Sequence, residues 1–186
     1  MSKQQQAPGE LELVRAFVNS TDLGQGSEQL RSAEALAIWL AEHGLMDAGV
    51  SATDHDLVAA VELREALRAI LLVHTEGSPP PSDAVKRLDG AARRARLDLR
   101  FCGGGATVLE PEADGVDGAL GRLLAIVHDA IARGTWDRLK ACRLHTCEWA
   151  FYDHTKNHSG AWCNMDVCGN RAKARAYRER RAPSQS

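Results

Sequence analysis

Four cysteines, Cys142, Cys147, Cys163 and Cys168, fall in the last quarter of the chain as two matched pairs. Four residues lie inside each pair, and fifteen separate the pairs. Two short two-cysteine hooks joined by a loop of roughly 15–20 residues are what a tetrahedral zinc ion requires. The layout predicts one structural Zn2+ per chain, held by these four thiolates, and a segment whose folding is tied to the ion. Iron accepts the same ligand set, so the sulfurs alone leave the metal open between the two. Disulfide bonding is the competing use of clustered cysteines. The opening MSKQQQAPGE is polar, with no basic stretch, apolar run or cleavage pattern. The chain is therefore expected to be cytoplasmic, where disulfides are rare. Cys102 lies far away beside Gly103, Gly104 and Gly105, and is expected to be a packing residue or a free thiol.

The elements around the cysteines follow from their neighbours. Trp149, Phe151, Tyr152 and Trp162 lie between the hooks and are expected to form a small core around the metal. Gly169 is expected to let the chain turn tightly beside the sulfurs, with nearby N–H groups donating to them. A helix should then run to about Arg181 with its positive end toward the thiolates. Arg171, Arg175 and Arg178 recur at i, i+4 and i+7 and share one face of it, with Lys173 and Arg180 off that stripe. These five are the candidate nucleic-acid contacts. Charge is divided accordingly. Residues 138–186 carry 10 Lys+Arg and 4 Asp+Glu, a balance of +6, whereas residues 1–137 carry 13 and 21, a balance of −8. A basic module on an acidic body suits a nucleic-acid reader with a regulatory part. The competing reading is a solvated basic helix whose charge partly offsets the roughly −2 of a zinc tetrathiolate.

Ahead of the hooks the apolar spacing is helical. Helices are expected over Leu11 to Asn19, over Ala33 to His43 with Ser32 as cap and Gly44 as stop, and over Asp54 to about His74. Thr53 and Asp56 have capping-box form. The third helix is broadly apolar, Val58 included, and is expected at the centre of the core. After Pro79, Pro80 and Pro81 a fourth helix should run from Ser82 to Arg96. Leu97 to Phe101 alternates as a strand, Gly103 to Gly105 turns, and Ala106 to Leu109 returns. This hairpin is the one sheet expected there. A last body helix is expected over Gly118 to Arg133. The expected fold class is mainly α: a helical N-terminal domain with one β-hairpin, plus a small C-terminal zinc module ending in a basic helix. The expected units are a disordered tail over 1–10, a helical domain over 11–135, the zinc module over 136–181 and a second tail over 182–186. No stretch reaches the ~18 apolar residues of a membrane span, so no membrane partner is expected.

Arg138-Leu139-Lys140-Ala141-Cys142, Cys147 to Asp153, Trp162-Cys163-Asn164-Met165 and Cys168-Gly169-Asn170-Arg171-Ala172-Lys173 together resemble the CGNR zinc-finger family, over about residues 136–181. Phe17-Val18-Asn19-Ser20, Trp39-Leu40 and Leu63 to Arg68 resemble, in the right order, its usual companion, the ABATE domain. The resemblance implies a bacterial, DNA-binding, stress-induced transcription regulator whose zinc ligands are Cys142, Cys147, Cys163 and Cys168. One departure stands out. The loop before Trp162 commonly carries arginines in the family and here reads Asn157-His158-Ser159-Gly160-Ala161. His145, His154 and His158 are the local candidates to replace that charge at lower pH.

Three functions compete on sequence. The first is a two-domain regulator whose body senses a ligand or forms a homodimer and whose zinc module contacts DNA. The second is a zinc-stabilised protein-interaction module. The third, an enzyme, fits less well: catalytic zinc keeps one position open, four cysteines close it, and no His-Glu-x-x-His pattern occurs. Zinc release on thiolate oxidation is compatible with the first.

Overall fold

The structure, a computed structural model, describes residues 6–181, and the side chains of all of these except Ala176, Glu179, Arg180 and Arg181. Five helices make the body. They are α1 (Leu11–Val18), α2 (Ala33–Glu42), α3 (Asp54–Glu76), α4 (Ser82–Arg94) and α5 (Gly115–Ala132). Local chemistry sets their ends. The Ser32 side chain accepts from the Ala35 N–H at the start of α2. Thr53 and Asp56 form a reciprocal capping box on α3, and Gly77 ends that helix in the left-handed region that a side chain would disfavour.

Leu63, Leu67 and Leu71 line the buried side of α3, which packs against α1, α2, α4 and α5. Val14, Phe17 and Val18 of α1, Leu36 and Leu40 of α2, and Leu120 and Leu123 of α5 complete the centre. Val58 is a correction to the expected core: it is exposed on the first turns of α3.

Strands β3 (Leu97–Phe101) and β4 (Thr107–Pro111) form the expected antiparallel hairpin around the glycine turn. A second pair was not expected. Strands β1 (Thr21–Asp22) and β2 (Ser27–Glu28) close a two-residue ladder, because the Asp22 carboxylate accepts the N–H groups of Gly24 and Gln25 and folds the loop back. This local turn chemistry gives no hydrophobic alternation to read.

Of the tail expected over 1–10, residues 6–10 are folded against α1: Ala7 is buried and its N–H donates to Glu12 Oε2 at 2.7 Å. Residues 1–5 and the tail expected over 182–186 lie outside the described residues. No helix among the described residues is long and apolar enough to cross a membrane.

Beyond α5 the chain forms β5 (Leu139–Ala141) and β6 (Ala150–Tyr152), an antiparallel pair, then a π turn over Met165–Gly169 and α6 (Asn170–Arg181). The boundary expected at 135/136 is not a packing boundary. Leu139, Ala141, Ala150 and Tyr152 belong to the same buried cluster as the body helices, and β5 lies on α3.

Candidate metal centre

The first hook grows out of β5. The Cys142 N–H donates to Trp149 O at 3.0 Å, and the N–H groups of Cys147 and Glu148 donate to Leu144 O at 2.7 and 3.0 Å, closing a knuckle over residues 142–149. Glu148 sits in the left-handed region, at φ 46°. The second hook is the π turn. Asn164 organises it: its side chain accepts from Asp166 and Val167, and its carbonyl accepts from Cys168 and Gly169. Gly169 is a second correction. Its φ is not positive and its N–H goes to Asn164 O, not to sulfur. A Cβ there would lie 2.5 Å from Met165 Sδ, the far end of a flexible, half-exposed side chain that would have to move aside. N–H groups of Cys163 and Leu144 do face a sulfur, that of Cys142.

The four Sγ atoms of Cys142, Cys147, Cys163 and Cys168 lie within 4.8 Å of one another. Cys147 to Cys163 and Cys163 to Cys168 are each 3.7 Å. Zinc–sulfur bonds of about 2.3 Å place the corners of a tetrahedron about 3.8 Å apart. The residues therefore fit zinc. The thiols perturb each other strongly. Hydrogen bonds from Cys147 and Cys163 hold the Cys142 pKa far down, while that of Cys163, which donates to Cys142, is pushed far up. Burial, then the charges on Cys142 and Cys147, raises that of Cys168. Four thiolates gathered this closely repel one another, and a divalent cation is what lets them ionise together. The site holds one structural zinc per chain. Cys102 is a free, exposed thiol outside the cluster.

Residues 138–181 match the CGNR zinc finger, and residues 11–137 match the ABATE model, described as "Putative stress-induced transcription regulator". The chain belongs to the ABATE family. No curated protein matches it. Two of the segments that carried the ABATE resemblance, Phe17 to Ser20 and Leu63 to Arg68, brace each other and reach across to the finger. Asn19 exchanges two hydrogen bonds with the Ala150 backbone, at 2.9 and 2.8 Å. Arg68 donates to Val18 O at 2.6 Å and to Glu148 O at 3.0 Å, bridging α1 to the knuckle. Arg64 donates to Ser20 and to both carboxylate oxygens of Glu28.

The remaining candidates are spread around the finger. Arg171, Lys173, Arg175 and Arg178 are exposed on α6, and Arg178 Nε also reaches Ala174 O at 3.3 Å. The Arg180 side chain lies outside the described residues. The three histidines do not gather. His145 lies beside Glu76 and Glu148, His158 bonds Asp137, and His154 bonds Gln6 O.

Sequence reasoning missed Lys140 and Asp153. Both are buried and paired at 2.8 Å, and Lys140 also donates to His158 O and Gly160 O. Asp153 accepts from Thr155 and from Gly160 N–H. Burial acts to raise the Asp153 pKa, yet the bonds from Lys140 and Thr155 outweigh it and hold the carboxyl well below its usual range. The available signal was a lysine between Leu139 and Ala141 in a strand whose every residue is buried.

Proposed function

We propose that this ABATE protein is a cytoplasmic transcription regulator that grips duplex DNA with α6, the zinc being structural and the chain having no catalytic role. The observation that carries the reading is a helix with Arg171, Lys173, Arg175 and Arg178 exposed, growing directly from the second hook of a closed metal site. Four protein ligands leave no open position for a substrate. The body, acidic and helical, would bind the effector or pair with a second copy.

The grip is expected to be dominated by phosphates, since the face is rich in arginine. Fluorescence anisotropy on labelled duplexes across salt concentrations tests it. Arg175→Ala and Arg178→Ala should each weaken all sequences alike and reduce the salt slope by roughly one. A double variant binding like the wild type at every salt concentration overturns the reading.

A protein-interaction module is the second reading, and one observation favours it. Met165, Val167 and Tyr177 are 49%, 45% and 53% exposed on the same turn and helix, apolar surface that a phosphate backbone does not use.

A further inference from the structure

The two hooks are anchored very differently. The first is seated on the body. Thr75 donates to Ala141 O at 2.7 Å, His74 bonds Leu139 O at 2.8 Å, Arg68 holds Glu148 O and Asn19 pairs with Ala150. The loop that follows belongs to this half as well. Asp153 N–H donates to Arg138 O, Lys140 holds the carbonyls of His158 and Gly160, and Arg143 N–H donates to Ala161 O.

From Trp162 onward the anchoring changes. The backbone and Asn side-chain bonds of Asn164–Asn170 described above close within the turn itself, as does Asn170 Nδ2 to Asp166 O. The main packing partner of α6 is this turn. The turn is not sealed onto β6 either. A cavity of about 560 Å3 opens between them, lined by Phe151, Tyr152, Trp162 and Met165. With Met165 and Val167 about half exposed, the turn buries little apolar surface of its own. Among the described residues, what ties it to the body includes the chain itself, the Cys163 N–H on the Cys142 sulfur and the four thiolates.

We propose that the site is half built before metal arrives. The body holds Cys142 and Cys147 in place. Cys163 and Cys168 close onto the ion afterwards and bring α6 with them, so zinc occupancy decides whether the basic helix has a fixed position. The zinc-dependent segment then begins near Trp162, not at residue 136 where the sequence places the start of the module. The ordering step stands on the packing alone; its consequence for DNA rests on the reading of α6 given above.

Hydrogen–deuterium exchange on the full chain, zinc-loaded and after chelation, tests it. Amides of residues 139–141 and 150–152 should keep their protection, while those of residues 164–178 should exchange at least about tenfold faster without metal. A Cys163→Ser, Cys168→Ser variant in the presence of zinc should resemble the chelated protein. Loss of protection in both segments together, or in neither, overturns the proposal. Duplex binding measured on the same samples separates the two readings. No binding by the zinc-loaded protein defeats the DNA reading and leaves the ordering step standing. Binding that survives chelation undiminished defeats the switch.

Discussion

Lys140 and Asp153 show what one ion pair does inside a small module. Each side chain is at least 95% buried, so neither charge has water to fall back on. Asp153 gathers Lys140, Thr155 and Gly160, and so shapes the loop that leads to the second hook. Lys140→Met leaves the carboxylate buried and unpaired and should cost about 3–5 kcal/mol in denaturant unfolding of the zinc-loaded protein. Adding Asp153→Leu should recover much of that, since a buried pair replaced by apolar groups is often neutral. Gly160→Ala should weaken the same loop, because a Cβ would lie 2.8–2.9 Å from the Asp153 carboxylate, which is held on several sides. Native mass spectrometry should find one zinc per chain in the wild type and in Cys102→Ser, whose thiol lies outside the cluster.

Among the elements, α3 has a second function besides filling the core: its far end props up β5 through His74 and Thr75. Thr75→Val keeps the shape and removes the donor to Ala141 O. It should cost about 1–3 kcal/mol for the orphaned carbonyl and lower zinc affinity by about tenfold, read by competition with a chromophoric chelator. The helices themselves were legible because their signals are local. Ser32, the Thr53–Asp56 box and Gly77 mark ends within a turn, and the Leu63-Leu67-Leu71 spacing marks the buried side. The four ligands were legible for the same reason, as each pair spans five positions. The joint was not. Asn19 to Ala150 and Arg68 to Glu148 join residues 131 and 80 positions apart through side-chain bonds to backbone, which leave no period in the chain. Buried arginines at i and i+4 in an apolar helix, Arg64 and Arg68, were the one trace.

Across the whole molecule, pH reports on the joint. Burial holds the His74 pKa below its ordinary value, and the ring lies edge-on to Trp136 while bonding Leu139 O. A lowered histidine pKa means that the fold prefers the neutral ring. Its contribution is complete above the unfolded value of about 6.5 and is lost as pH falls through the folded one. Asp153 acts with the same sign at lower pH, its contribution being present above the usual carboxylate range and lost below it. The thermal midpoint of the zinc-saturated protein should therefore fall as pH drops below about 6.5, and His74→Gln should flatten that first part of the fall while leaving the loss from Asp153 at lower pH. The shared core also bears on how such proteins arise. Cutting at residue 138 would bare Leu139, Ala141, Ala150 and Tyr152 and strip partners from the Leu139, Ala141 and Glu148 carbonyls. The finger is thus a poor cassette for gene shuffling. A recombination that moves it onto another body succeeds only where the recipient supplies counterparts of Asn19, Arg68, His74 and Thr75, which ties the inheritance of the two segments together.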